Sequence, residues 1–341
     1  MQDIKIGNLT IGQNHPAFVI AEIGSNHNQS LQLAYETIDA AKEAGADAVK
    51  FQSIDVNKLY LNPSKATIDL HKKIDLPEEW HYLLSDYCKK KEIVFFSSPT
   101  YLEAVDILET INVSLYKLAS AQIGTFPQLV EKVAQTNKPV ILSTGLVSYA
   151  ELEKIVKIFH LAQNNQFIIL HCNSIYPTPY EKVHLPLMHT YQKMFDCIVG
   201  FSDHTAGIYA PIIAVAQGAK VIEKHFAISR KLPVPDAPFS LEPHELREMI
   251  NGIRIAEQML IPQVRLQIEK EEANFKKAIG TKLVLAKNKN AGEPLQREDF
   301  IFRRHSEGID CKELDRLLLS NFFFKENVMR NTLLDYQHIS L

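Results

Sequence analysis

The chain is poor in cysteine, carries little net charge and lacks long hydrophobic runs. Its four cysteines, Cys88, Cys172, Cys197 and Cys311, show no CxxC spacing. The start, MQDIKIGNLTIGQ, has no basic segment leading into an apolar core, so no secretory leader is expected. Scattered thiols in such a chain read as reduced and cytoplasmic. A net charge of −3 leaves no electrostatic footprint for nucleic acid or an anionic membrane. No apolar run approaches the ~20 residues that span a bilayer. The densest apolar patch, LLLSNFFF (Leu317 to Phe324), reads as the core or interface of a small domain. What is present is ordinary for a globular protein: 46% hydrophobic and 23% charged residues in a chain of 341. That length suits two domains, or one barrel with an appendage.

Strand-like apolar runs alternate with amphipathic stretches from residue 17 onward. The strand candidates are 17–24, 46–53, 92–99, 114–120, 139–145, 166–173, 197–204 and 220–227. Between them lie helical patterns such as SLQLAYETIDAAKEAG, LPEEWHYLLSDYCKKK and SYAELEKIVKIFHLAQ. Near-continuous apolar strands separated by helices imply a parallel sheet buried on both faces. Eight such units predict a (β/α)8 barrel, a TIM barrel, over residues 1–262. A doubly wound open sheet is the alternative, although no GxGxxG follows the first strand. The opening KIGNLTIG alternates around a turn at Gly7-Asn8 and reads as a hairpin that plugs the barrel's bottom. After the last helix, the charged stretch at 263–280 reads as a solvated helical linker. Short strands and turns then mark a small β-rich domain at 281–341. A domain that small is marginal by itself, so it is expected to dock on something.

A barrel keeps its active site at the C-terminal ends of its strands. Polar residues gather there: Glu22, Lys50, Gln52, Ser98, Lys117, Ser120, Ser143, Asn173, Ser174, Ser202, Asp203, His204, Glu223, Lys224 and His225. Residues two apart on a strand share a face, so Lys50 points with Gln52, Ser202 with His204 and Glu223 with His225. His204 and His225 end neighbouring strands, which lie ~4.8 Å apart. Both imidazoles can therefore reach one divalent ion that keeps open positions and polarises a carbonyl oxygen. Read blandly, they are two ordinary polar residues at strand ends. Lys50 and Lys117, with hydroxyls from Ser98, Ser120, Ser143 and Ser202, build a site for a phosphorylated, carboxylated anion. Either lysine could instead form a Schiff base, which is the aldolase reading. Glu22 is a candidate acid or base. His27 reads as loop structure. Two Pro-rich loops, YPTPYEKVHLP and PVPDAPFSLEP, would cover the site and offer Tyr176 and Asp236.

The motifs AEIGSNHN, AGADAVKFQ, YKLAS, ILSTG, HCNSIYPTP, GFSDHT, EKHF and PDAPFSLEP closely resemble the sialic acid synthase family, the phosphoenolpyruvate-condensing N-acylneuraminate synthases. The tail resembles that family's antifreeze-like (SAF) domain. The resemblance implies condensation of phosphoenolpyruvate with an N-acyl hexosamine, such as N-acetylmannosamine or a 2,4-diacetamido-trideoxyhexose, with release of phosphate. It implies a manganese, magnesium or cobalt ion on His204 and His225. It places Lys50, Ser98, Lys117, Ser120, Ser143, Ser174 and Ser202 around phosphoenolpyruvate, with Glu22 near the reacting centre. Gln52, Tyr176 and Asp236 fall on the sugar side. Arg304 matches an arginine that a partner subunit's small domain inserts, which implies a domain-swapped homodimer.

The chain departs from the family pattern in three places. Ser174 stands where asparagine is common, so either it or Asn173 serves the phosphate. RRHSEG replaces the usual KRPGxG, which keeps the arginine and loses its Pro-Gly turn. LLLSNFFFKENV is more apolar than the pattern and reads as a remodelled subunit contact. The VKFQ and VPD segments incline the expected product toward sialic or legionaminic acid over pseudaminic acid. A non-catalytic sugar-binding module is the third class considered, and the full set of polar strand ends argues against it.

Overall fold

A computed structural model describes residues 2–341. It divides into two compact units, Met1–Ile261 and Pro262–Leu341.

The first unit opens with an antiparallel hairpin, β1 (Ile4–Ile6) and β2 (Leu9–Ile11), in which Ile4 faces Ile11. Its turn is at Gly7, whose φ of +57° suits glycine. Eight parallel strands follow: β3 (Phe18–Gly24), β4 (Ala48–Ser53), β5 (Val94–Pro99), β6 (Tyr116–Leu118), β7 (Val140–Ser143), β8 (Phe167–Cys172), β9 (Ile198–Asp203) and β10 (Val221–His225). They run in the order β5-β4-β3-β10-β9-β8-β7-β6. The last strand pairs with the first, Val221 beside Phe18 and His225 beside Glu22. Strands β5 and β6 sit side by side, bringing the ring together. This is the expected (β/α)8 barrel, and the open sheet is set aside.

Alternation along each strand sorts the apolar residues into two layers. Phe18, Ile20, Ala48, Phe96, Leu115, Ile141, Ile168, Leu170, Ile198 and Val221 form one cluster with Ile4, Ile6 and Ile11. The hairpin therefore closes the end of the barrel opposite the polar strand ends, as the opening alternation implied. The other parity, including Val19, Ala21, Val49, Phe51, Val199, Phe201 and Ile222, packs against the helices. Gly200 has a steric reason: a Cβ there would lie 2.2 Å from the Val221 carbonyl oxygen.

The three expected helices form at Leu31–Ala44, Glu78–Lys90 and Tyr149–Leu161. Ser30 caps the first by accepting from the Leu33 N–H, and Gly45 ends it in the left-handed region at φ +97°. Ser148 and Glu151 form a capping box on the third.

The second unit starts with an exposed stretch whose helix is confined to Lys270–Ala278. Strands β11 (Thr281–Leu285) and β12 (Phe300–Arg304) pair antiparallel, as do β13 (Phe323–Phe324) and β14 (Ile339–Ser340). Leu283, Leu285, Phe300, Leu314, Leu317, Phe324 and Leu334 share a small core. Within the LLLSNFFF patch, Leu317 and Phe324 are fully buried while Leu319 is 83% exposed. Among the described residues, no helix is long and apolar enough to cross a membrane. All four cysteines are free.

Candidate active site

The polar ends of the barrel strands converge on a buried charge cluster. Lys50, at the middle of β4, places its Nζ 3.0 Å from Glu223 Oε2 and 3.4 Å from Glu22 Oε2. Lys117, on β6, lies 3.3 Å from Glu223 Oε1. Ser202 Oγ donates to the same carboxylate at 2.9 Å. Gln52 Nε2 donates to Glu22 Oε1 at 2.7 Å. Both lysines and both glutamates are at most 4% exposed.

Burial and charge set the protonation states within this cluster. For Glu22, burial outweighs Lys50 and pushes the carboxyl up to about 7. Burial would raise Glu223 too, but Lys117 and Lys50 together hold it well below the usual carboxylate range. Burial would lower Lys50, yet Glu22 and Glu223 override it and raise the ammonium. At Lys117 burial wins, and the pKa falls.

Around the lysines stand hydroxyls with spare capacity. Ser98 Oγ and Ser143 Oγ are buried without a hydrogen-bond partner. Ser120 Oγ and Ser174 Oγ are 2.9 Å apart. Gly145 keeps this corner open, because a Cβ there would come 2.4 Å from Ser174 Oγ. An anion with several oxygens matches such a set of cations and unsatisfied hydroxyls.

The two histidines face each other, with ring centroids 5.3 Å apart. His204 Nδ1 donates to the Asn173 carbonyl oxygen at 2.7 Å, which leaves Nε2 as the bare nitrogen. His225 Nδ1 is buried without a hydrogen-bond partner, 3.8 Å from Asp236 Oδ2. Burial lowers both pKa values, His225 well below the ordinary range, with the His204 imidazole adding to the effect there. Neutral imidazoles with a free ring nitrogen each fit a divalent ion. Among the described residues, no group of three or more His, Cys, Asp or Glu side chains is arranged to hold an ion. A two-imidazole site leaves coordination positions for substrate.

The two Pro-rich loops form the expected cover. Tyr176 lies 4.2 Å from the His204 ring, and Phe239 lies 5.0 Å from the His225 ring, centroid to centroid. Tyr176, Pro177, Ala206, Pro235, Asp236, Pro238 and Phe239 line a cleft of about 530 Å³ beside the histidines. Asn26 ties the loops at the barrel mouth, donating to the Phe226 carbonyl at 2.9 Å and to Ser240 Oγ at 3.0 Å.

Asn173 spends its side chain on the Lys182 carbonyl at 2.9 Å and faces the histidine through its main chain. Ser174, beside Ser120, is the member of that pair placed among the hydroxyls. Arg304 belongs to the second unit, where it ends β12 opposite Thr281 and is exposed. His27 is fully buried, stacks on Phe51 and meets Trp80 edge-on, and accepts from the Gln29 N–H. It holds its loop, in line with the sequence reading. Glu223 is the residue whose weight was missed. It stands two positions before His225 on the same face, and that spacing was the available signal.

Comparison with known proteins gives the chain its relatives. The NeuB family model matches residues 37–264. The N,N'-diacetyllegionaminic acid synthase of Legionella pneumophila is 33% identical over 345 residues, covering 96% of each chain. The pseudaminic acid synthase of Campylobacter jejuni is 34% identical over 328 residues, covering 92% of this chain and 94% of that protein. The crystal structure of the sialic acid synthetase from Leptospira borgpetersenii, in complex with citrate, superposes with a TM-score of 0.74 at 34% identity. It covers 82% of this chain and 97% of that one. With the family model matched over most of the barrel and relatives at 33–34% identity along nearly the whole chain, the chain belongs to the NeuB family.

Proposed function

We propose that this enzyme joins phosphoenolpyruvate to the open-chain aldehyde of an N-acyl hexosamine, giving a nonulosonic acid and phosphate. The observation that carries the reading is the pairing of Lys50 and Lys117 across Glu223, ringed by Ser98, Ser120, Ser143, Ser174 and Ser202. Phosphate and carboxylate of the substrate would exchange contacts with those groups. The enolpyruvyl methylene carbon attacks the aldehyde carbon, and the new C–C bond forms. Water adds to the neighbouring carbon, the C–O bond to phosphate breaks, and a ketone remains. Glu22, with its carboxyl pushed up to about 7, is poised to move a proton at the reacting centre near neutral pH. A divalent ion on His204 and His225, whether manganese, magnesium or cobalt, would supply Lewis-acid polarisation of the aldehyde oxygen.

The cleft beside the histidines takes the sugar, with Tyr176 and Asp236 among its lining residues and Gln52 approaching from β4. Among the described residues its one charged lining side chain is acidic, which favours a neutral acceptor over a sugar phosphate. Within the neutral acceptors, the reading stays with a sialic or legionaminic product. The second unit is assigned as an antifreeze-like (SAF) domain that presents Arg304 to the sugar site of a second copy in a homodimer. Free thiols and a phosphoenolpyruvate substrate suit the cytoplasm.

One observation favours a second reading. Burial lowers the Lys117 pKa, which is a property of Schiff-base lysines. The test is phosphate release from phosphoenolpyruvate with N-acetylmannosamine, its 6-phosphate and the two diacetamido-trideoxyhexose types, with and without a divalent ion. Release only with both sugar and ion is expected. No release with any of the four overturns the reading, and borohydride trapping of pyruvate on Lys117 replaces it with the aldolase.

A further inference from the structure

Lys224 and Asp203 form an ion pair on the outward face of the barrel wall, away from the charge cluster. Their side chains are 1% and 0% exposed. They sit in register on adjacent strands, beside Phe201 and Ile222, which belong to the apolar layer under the helices. Lys224 Nζ donates to Asp203 Oδ2 and to the Thr205 carbonyl, both at 2.5 Å. Asp203 in turn accepts from the Thr205 N–H at 2.8 Å and from Thr205 Oγ1 at 3.0 Å. All four bonds close on the residues that flank His204. The His204 carbonyl is held separately, by the Thr178 N–H at 2.8 Å.

Stability alone does not call for this arrangement. A buried ion pair loses so much hydration that a well-packed apolar pair is often as stable. What the pair does is local: it ties the strand end before His204 to the strand that carries His225 and braces both residues that flank His204. We propose that Lys224 and Asp203 are positioning residues that set the His204 imidazole against His225. The inference rests on reading those two imidazoles as an ion site. Groups that orient metal ligands from behind typically change affinity by about 10–100-fold when removed.

The experiment is titration of the full-length protein with Mn²⁺, followed by the electron paramagnetic resonance of free Mn²⁺, without substrates. D203N/K224M removes the tie yet keeps an acceptor for the Thr205 N–H, and K224R keeps a cation and donors. Phosphoenolpyruvate binding is measured alongside, without metal, by intrinsic fluorescence. Loss of about tenfold or more in Mn²⁺ affinity in D203N/K224M, with phosphoenolpyruvate binding within about twofold and recovery in K224R, is expected. Unchanged Mn²⁺ affinity overturns the positioning role, and so does parallel loss of both ligands, which marks a general structural effect. A wild-type protein that binds no Mn²⁺ overturns the ion site itself, and the positioning role with it.

Discussion

Glu22 and Glu223 flank the same ammonium group, Lys50 Nζ, at 3.4 and 3.0 Å, yet their proton affinities are driven apart. Glu223 also has Lys117 and stays ionised, while Glu22 is pushed up to about 7. Two carboxylates with separated affinities divide the labour, one as a fixed charge and one as a group that can exchange a proton.

The separation has a signature in stability. A carboxyl raised by folding contributes stability below its unfolded pKa and loses that contribution as pH rises through about 7. Below about pH 4.5 Glu22 is neutral in both states, so E22Q and wild type should melt alike. Above about pH 7 the wild type must bury an ionised group, and E22Q should melt higher. Activity should be lost in E22Q by about 10²-fold or more, the low end of what a positioned acid or base contributes. Thermal melts at a series of pH values check the first, and phosphate release checks the second.

Removing Lys50 differs from removing Lys117. K50M leaves Glu22 without its ammonium neighbour and Glu223 with only Lys117, and a broken buried pair costs about 3–5 kcal/mol. K117M removes a cation whose proton is already held less tightly, so its stability loss should be the smaller. Both should raise the KM for phosphoenolpyruvate. Equal stability losses in urea unfolding, with an unaltered KM, would contradict the anion site.

Arg304 is tested by complementation. R304A should raise the KM for the sugar and leave that for phosphoenolpyruvate unchanged. Mixed and reassembled with E22Q, R304A should regain activity, because its intact barrel then receives Arg304 from the other copy. If each copy serves its own barrel, the mixture stays as weak as its parts.

The barrel and both histidines were legible because parallel strands buried on two faces write long apolar runs, and a polar ending on such a run is conspicuous. Glu223 was less so. Its spacing to His225 marks only the face it shares; its weight comes from Lys50 and Lys117 on other strands. The Asn173 contact was hidden for a different reason: the backbone carbonyl serves His204, and a carbonyl has no residue type. The Lys224–Asp203 pair occupies positions whose parity calls for apolar residues, so alternation gave no cue to it. Helices at Val56–Leu59 and Lys65–Ile74 went unread because they bury almost nothing beyond His71 and leave little periodicity.

The most direct measurement is a crystal of the protein with Mn²⁺ and phosphoenolpyruvate, with anomalous scattering recorded at the manganese edge. A single peak between the His204 and His225 rings, with the enolpyruvyl oxygens against Lys50, Lys117 and the serine hydroxyls, is the expected result. A peak elsewhere, or substrate bound away from both lysines, would contradict it.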